Sequence, residues 1–204
     1  MLAAAILATP ASAAPATGAH SAILMHADTG EVLYEHNADD RMLIASTTKI
    51  MTAIVVLENC ALDEEVEVDS RSAGAEGSSM YLKAGERYTV EDLLYGLMLV
   101  SGNDAALALA IHTAGSGGDF ARLMNEKARE LGMTGSHFEN PHGLDAEGHY
   151  STARDMAVLA AHCMANEDFA RIVSPRHAVV AGQDIYNHNK LLGMYDGCIG
   201  VKTG

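Results

Sequence analysis

Ser46 and Lys49 have the side chains and the spacing that nucleophilic catalysis requires. The sequence predicts a helix that begins near them, and residues three apart on a helix share one face, with Cβ atoms about 5–6 Å apart. A serine hydroxyl is a poor nucleophile until a base removes its proton, and a neutral lysine amine can be that base. Lowering a lysine pKa from about 10.4 to near 7 requires about 4–5 kcal/mol of discrimination against the charged form.

Three features of the sequence could lower the pKa of Lys49. The first is burial, because the residues after Lys49 carry no charge until Glu58. The second is the positive end of the helix dipole. The third is a second cation, Lys202, if the fold brings it close. In isolation, Ser46 would be read as a helix cap and Lys49 as a surface lysine.

Two further patterns strengthen the catalytic interpretation. Ser101-Gly102-Asn103 is a Ser-x-Asn triplet, and Lys202-Thr203-Gly204 follows it near the end of the chain. From the composition, chance predicts about 0.3 occurrences of Ser-x-x-Lys, about 0.5 of Ser-x-Asn and about 0.03 of Lys-Thr-Gly. The product is about 0.004 before order is required. Each pattern occurs once, in this order, so the joint signal is specific.

The elements that must position these residues are mainly helices in the middle of the chain and strands at both ends. Residues 21–25 and 31–34 predict a β-hairpin around Asp28-Thr29-Gly30. Residues 66–68, 177–180 and 198–201 predict short strands. Helices are predicted at 47–57, 89–100, 103–113, 119–131 and 152–163, with caps at Thr89 and Thr152. One mixed domain is expected, with a sheet completed by both ends of the chain.

The composition excludes several classes of protein. The chain has 204 residues and 49% hydrophobic residues, enough for a real core. A net charge of −14 argues against nucleic acid as a partner. The ten histidines fit no zinc pattern, including His137, His142 and His149 around one loop, so we expect no metal and no cofactor. The three cysteines cannot all pair internally, and two of them lie in apolar stretches, so we expect buried, inert thiols.

The two ends of the chain suggest an exported protein seen in part. The first 27 residues contain no Asp, Glu, Lys or Arg. An apolar run followed by Ala11-Ser12-Ala13 is typical of a signal peptide, so residues 1–14 are predicted to be its remnant. Residues 15–204 are predicted to be a catalytic domain that is incomplete at its C-terminus.

Beyond the three motifs, the chain resembles the D-alanyl-D-alanine carboxypeptidases, which are low-molecular-weight penicillin-binding proteins of the serine type. Ser-x-x-Lys, Ser-x-Asn and Lys-Thr-Gly are the signature of that superfamily. The resemblance runs from about residue 21 to the last residue. It is carried by residues 28–34, 45–52, 85–86, 88–90, 103–106, 140–144, 151–157, 187, 189–192 and 200–204.

The resemblance implies an α+β fold of the β-lactamase/transpeptidase type, with an antiparallel sheet packed between helices. It also implies that the last strands, a closing helix and a C-terminal domain with a membrane anchor are missing, so the chain as given is expected to be inactive or poorly folded. Export implies a location in the periplasm, in the cell wall or at the outer face of the cytoplasmic membrane.

The resemblance also implies roles for the motif residues. Ser46 would attack the carbonyl between two D-alanines at the end of a peptidoglycan stem peptide, and Lys49 would act as its base. Ser101 would relay a proton to the leaving amine. The substrate would be bound by the other motif residues, namely Asn103, Lys202, Thr203 and Gly204. Penicillins would acylate Ser46, and the cell would use the reaction in peptidoglycan biosynthesis and cell-wall remodelling.

Two alternatives use the same motifs. A class A β-lactamase requires a Glu-x-x-x-Asn pattern, and neither Glu139 nor Glu147 has an Asn four residues later. A non-catalytic penicillin-binding relative usually lacks a motif residue, whereas all the motif side chains are present here. Both alternatives are therefore disfavoured.

Overall fold

The structure, a computed structural model, describes residues 17–204. The predicted signal-peptide remnant, residues 1–14, lies outside the described residues. Within residues 17–204, no helix is both long enough and apolar enough to cross a membrane.

The helix α1 (Lys49–Asn59) is the centre of the molecule. Every residue from Lys49 to Val56 is buried, and α1 packs against five of the other helices. The five helices are α2 (Val90–Leu99), α3 (Asn103–Ala114), α4 (Gly117–Glu130), α5 (Ala153–Met164) and α6 (Glu167–Val173). A short helix, α7 (Leu191–Met194), follows them in the chain. The burial predicted from the uncharged run in α1 is confirmed, because a helix that is apolar on every side must be covered on every side.

Side-chain caps fix the starts of several helices. Thr89 accepts a hydrogen bond from the Asp92 amide at 3.0 Å, and the Asp92 carboxylate accepts one from the Thr89 amide at 3.2 Å. The Thr152 hydroxyl accepts from the Asp155 amide at 3.1 Å and caps α5. Both predicted caps are confirmed, since each pairs a backbone donor that the helix itself leaves free.

The strands pair locally. The strand β1 (Ala22–Met25) pairs with β2 (Val32–His36), β3 (Glu65–Glu67) with β4 (Arg87–Thr89), and β5 (His177–Val180) with β6 (Gln183–Tyr186), all antiparallel. The predicted α+β class is confirmed. The prediction of one sheet differs from the described structure, in which the strands form three two-stranded sheets because each strand bonds to the next along the chain.

The strand predicted for residues 198–201 is wrong. This segment has no regular secondary structure, and the Gly200 carbonyl accepts a hydrogen bond from the Asn189 side chain at 3.0 Å instead of from a neighbouring strand. The sequence analysis also did not predict β4, β6, α6 and α7, because elements this short show too little hydrophobic periodicity.

The core is one cluster of buried apolar side chains between α1 and the surrounding helices. Leu97 of α2 is fully buried in it, whereas Leu33 of β2 is 58% exposed. We predict that Leu97→Ala lowers the free energy of unfolding by about 2–5 kcal/mol, since it removes buried methyl groups and leaves a cavity. Leu33→Ala should change it by less than about 0.5 kcal/mol. Urea unfolding of both variants measures the difference, and equal losses would contradict this core.

Candidate active site

Ser46 lies in a single 3₁₀ turn, Ala45–Thr48, that leads directly into α1. The sequence predicted a regular helix from Thr47, but the α-helix begins only at Lys49. The Thr47 amide donates to the Ile44 carbonyl at 3.1 Å, which closes the turn. The turn leaves the Ser46 side chain half-buried at the surface of the molecule, while Thr48 and Lys49 are buried.

The amino group of Lys49 is buried and has three hydrogen-bond partners. Its Nζ lies 3.1 Å from Ser46 Oγ, 2.7 Å from Asn103 Oδ1 and 2.6 Å from the His142 carbonyl oxygen. A neutral amine can donate to the two carbonyl-type oxygens and accept from the Ser46 hydroxyl. The geometry therefore suits both protonation states of Lys49.

Burial is the main reason why the pKa of Lys49 falls from 10.5 to about 7. The positive charge of Lys202 lowers this pKa further, and the negative charge of Asp104 raises it. The sequence analysis predicted burial and Lys202 as causes, and both operate. Near neutral pH, a large fraction of Lys49 is therefore neutral and able to act as a base.

Asn103 begins α3, and its side chain joins Lys49 to a loop. Its Oδ1 accepts from Lys49, and its Nδ2 donates to the Glu76 carbonyl at 2.6 Å. Gly77 makes this approach possible, because a Cβ at that position would lie 2.8 Å from Asn103 Nδ2. The structure thus gives the Asn103 amide two protein partners, a positioning role that the sequence did not predict.

Ser101 lies between α2 and α3 in a left-handed conformation, with φ of +64°. Its side chain is buried, and in the part of the chain that the structure describes its Oγ has no hydrogen-bond partner. An unpaired buried hydroxyl costs about 1–3 kcal/mol, so such a group is unusual away from a functional site. No direct hydrogen bond joins Ser101 to Lys49 among these described residues.

The third motif lies against the turn that carries Ser46. A Cβ on Gly204 would lie 3.3 Å from the Thr47 side chain and 3.5 Å from the Ile44 carbonyl. Burial lowers the pKa of Lys202 from 10.5 to about 8, and its Nζ donates to the Thr203 carbonyl at 2.8 Å. Thr203 is exposed. All three sequence motifs therefore meet at one place.

A loop that we call the Asn140 loop, residues 140–144, completes the surroundings of Lys49. Asn140 Oδ1 accepts from the Gly143 amide at 2.7 Å and holds the loop in a tight turn. Gly143 has φ of +90°, and a Cβ there would lie 1.9 Å from the Ala45 carbonyl oxygen, so only glycine fits. The sequence predicted this turn but not that the His142 carbonyl would bind Lys49.

His149 connects the same region to the start of α1. Its Nδ1 accepts from the Glu139 amide at 3.0 Å, which leaves Nε2 as the donor to Thr48 Oγ1 at 2.8 Å. Burial lowers the pKa of His149. His142 has its pKa lowered to about 4, mainly by burial and then by the charge of Lys49. The sequence prediction that these two histidines are hydrogen-bonding loop residues agrees with this geometry.

Asp104, next to Asn103, holds the loop of residues 79–82 near the junction between α2 and α3. Its buried carboxylate accepts from Ser79 Oγ at 2.6 Å and from the amides of Met80 at 3.0 Å and Leu82 at 3.1 Å. A buried carboxylate is stable only with such partners. The sequence analysis missed this role, because the partners lie more than twenty positions away.

A serine whose hydroxyl contacts a buried lysine of low pKa is the arrangement of serine acyl-transferring enzymes that use lysine as the base. Residues 8–204 match the D-alanyl-D-alanine carboxypeptidase family of peptidases. The chain belongs to this family.

Two of the similar proteins are D-alanyl-D-alanine carboxypeptidases. The D-alanyl-D-alanine carboxypeptidase DacF of Bacillus subtilis is 38% identical over 91% of this chain and 50% of its own length. DacB2 of Mycobacterium tuberculosis is 39% identical over 89% of this chain and 64% of its own length. The chain thus spans about half to two thirds of these relatives.

Solved structures share the fold. A D-alanyl-D-alanine carboxypeptidase from Mycobacterium tuberculosis superimposes with a TM-score of 0.91 and 37% identity, over 96% of this chain and 76% of that one. The DacD enzyme of Francisella tularensis gives a TM-score of 0.89 at 30% identity, over 100% of this chain and 63% of that one.

The protonation of Lys49 can be measured directly. We predict that NMR of the protein with ¹³Cε-labelled lysine gives a Lys49 titration midpoint near 7, the value to which burial lowers the pKa. Above that pH the amine is neutral, and below it is charged. Lys202→Met removes a positive charge that disfavours protonation, so the midpoint should rise. The exposed Lys83, changed to Met, is the control and should leave it unchanged. A midpoint that stays near 10.5 would contradict the buried site.

The contact of the Asn140 loop with the 3₁₀ turn gives a second test. We predict that Gly143→Ala lowers the free energy of unfolding by about 2–5 kcal/mol, because it adds a backbone clash to the strain of a positive φ. Gly85→Ala is the matched control: its φ is +83°, but nothing lies within 4 Å of the new Cβ. It should cost about 1–2 kcal/mol. If denaturant unfolding gave the same loss for both variants, the close contact would be disproved.

Proposed function

We propose that the protein is a serine-type D-Ala-D-Ala carboxypeptidase that removes the terminal D-alanine from peptidoglycan stem peptides and that binds penicillins. The observation that carries the proposal is the 3.1 Å contact between Ser46 Oγ and the buried Lys49 Nζ, whose pKa is lowered to about 7. Membership of the carboxypeptidase family supports the choice of substrate. No metal or cofactor takes part in the proposed reaction.

The reaction begins with the transfer of the Ser46 proton to Lys49. Ser46 Oγ bonds to the carbonyl carbon between the two D-alanines, and the Ser46 amide hydrogen-bonds the oxyanion. The C–N bond then breaks, the proton reaches the leaving amine, and free D-alanine departs. Water hydrolyses the ester on Ser46, which restores the hydroxyl and releases the shortened peptide.

Ser101 is proposed to relay the proton to the leaving amine. Its buried Oγ has no partner among the described residues, so the hydroxyl is free to donate to an amine and to accept from Lys49. Its fixed backbone, with φ of +64°, holds the hydroxyl at the junction where α3 begins beside Lys49. The relay does not require a permanent hydrogen bond, because catalytic contacts often tighten only when substrate is bound.

The substrate's terminal carboxylate is proposed to bind Lys202 and Thr203. Lys202 has a pKa of about 8, so at neutral pH it is mostly charged and can pair with a carboxylate. Thr203 is exposed and offers a hydroxyl as a second donor. Gly204 brings this segment against the turn of Ser46 without a side chain in the way. Asn103 is proposed to bind the substrate's backbone amide in addition to holding Lys49.

The substrate lies outside the cytoplasmic membrane, so we also propose that the protein is exported. The uncharged, apolar N-terminal segment with its Ala-Ser-Ala triplet supports export. N-terminal sequencing of the mature protein from cells would decide this, because an uncleaved, cytoplasmic product would contradict it.

Acylation by benzylpenicillin tests the proposed function. We predict that intact-mass measurement of the full-length protein carrying this sequence detects one covalent adduct, and that the protein releases D-alanine from a peptide ending in D-Ala-D-Ala. Ser46→Ala should abolish both results, because no other residue is proposed to form the ester. Lys49→Ala should slow acylation by at least about 100-fold, since it removes the base.

Ser174→Ala is the matched control, because Ser174 is exposed and far from the motifs in sequence. It should acylate at the wild-type rate. If a folded, full-length protein formed no adduct, the catalytic assignment would fail and a non-catalytic relative would be favoured.

A further inference from the structure

Cys60, Glu64 and His112 form a second cluster of reactive side chains, away from the motifs. One sulfur, one carboxylate oxygen and one imidazole nitrogen from these residues all lie within 4.8 Å of one another. His112 Nε2 is 3.0 Å from Glu64 Oε2. Within residues 17–204, no other three His, Cys, Asp or Glu side chains meet this criterion.

Three separate elements bring these residues together. Cys60 directly follows α1, Glu64 ends the turn before β3, and His112 lies in the last turn of α3. The carboxylate of Glu64 is fixed by the Ala61 amide, which donates to Oε1 at 2.6 Å and leaves Oε2 facing His112. The cluster is thus supported by backbone and does not depend on flexible side chains alone.

The electrostatic setting of the cluster favours a cation. The C-terminal ends of α1 and α3 both lie beside it, and each helix end carries a partial negative charge. Glu64 adds a full negative charge. The helix α1 has 11 residues and is about 16 Å long, so the cluster lies at the opposite end of α1 from Ser46.

The ligand types select the kind of cation. A thiolate, an imidazole and a carboxylate together are typical of Zn²⁺, which binds S, N and O ligands in tetrahedral sites at about 2.0–2.3 Å. Hard cations such as Ca²⁺ and Mg²⁺ prefer oxygen ligands only. Three protein ligands would leave a fourth position for water.

We propose that Cys60, Glu64 and His112 bind one Zn²⁺ ion, in a site separate from the serine site and independent of the proposed carboxypeptidase function. The ion would take the place of the direct His112–Glu64 hydrogen bond and of the weak contact between Cys60 Sγ and Thr113 Oγ1 at 3.4 Å. It would tie the end of α1 to α3 and so stabilise the fold. The sequence analysis predicted no metal site, because Cys60 and His112 are far apart in sequence and match no spacing pattern.

Metal titration of the reduced, full-length protein tests the site. With Co²⁺ as the probe, we expect one equivalent to bind and to give a thiolate-to-metal charge-transfer band together with the visible bands of tetrahedral cobalt. Zn²⁺ should displace the Co²⁺ and bleach both. Zn²⁺ should also raise the unfolding temperature, because it binds the folded protein more tightly than the unfolded chain.

Variants distinguish this site from adventitious binding. Glu64→Gln and His112→Gln should each weaken Zn²⁺ binding by more than about tenfold, and Cys60→Ser should also abolish the charge-transfer band. Cys198→Ser is the control for a half-buried thiol, and His162→Gln is the control for a histidine paired with a glutamate. Both controls should bind as the wild type does.

Circular dichroism in the absence of metal shows whether each variant is folded. If Cys60→Ser does not fold, Glu64→Gln still tests the site, because the glutamine side chain keeps an oxygen that can accept from the Ala61 amide. No stoichiometric binding by the wild type would overturn the proposal and leave His112 and Glu64 as a hydrogen-bonded pair. Binding that persists unchanged in Glu64→Gln and His112→Gln would overturn it as well. Neither result would bear on the acylation of Ser46.

Discussion

The burial of one lysine amino group is the constraint on which the rest of this structure depends. A charged ammonium cannot stay in an apolar interior without partners, and a neutral amine there still needs its hydrogen bonds. Lys49 finds its three partners in three parts of the chain: Ser46 in the 3₁₀ turn, Asn103 at the start of α3 and the His142 carbonyl in the Asn140 loop. The fold must hold all three within about 3 Å of one point, and residues with a positive φ, among them Ala45, Ser101 and Gly143, lie in the segments around it.

The packing around α1 follows from that requirement. Because the helix starts with Lys49 and is covered on every side, its neighbours have to approach closely. Buried alanines in the first turns of α3, including Ala105 and Ala106, let that helix approach the core. Gly143 lets the Asn140 loop touch the Ala45 carbonyl, and the Asp104 carboxylate secures a different loop, at Met80. Each of these residues acts on the site through backbone position rather than through chemistry of its own.

Local features of the fold could be predicted from the sequence, and contacts through backbone carbonyls could not. The capped helices and the first hairpin were readable, because Thr89, Thr152 and Gly30 carry their own local signals. The three motifs identified the side chains of the site for the same reason. The carbonyls of Glu76 and His142 carry no signal of residue type, so their contacts depend on loops that only the fold brings together. The predicted strand at 198–201 failed because apolar residues alone do not provide a pairing partner.

Burial lowers the pKa of both lysines of the site, but their surroundings differ. Both values are lowered mainly by burial, but only Lys49 is also lowered by its neighbour, so it reaches about 7 while Lys202 stays at about 8. In the proposed function, Lys49 is the base and Lys202 supplies the positive charge for the substrate carboxylate. Lys49, the more easily deprotonated lysine, is the one that touches Ser46. In the proposed reaction, a carboxylate bound at Lys202 would offset the positive charge that Lys49 senses, so the pKa of Lys49 would be higher with substrate bound than in the free protein.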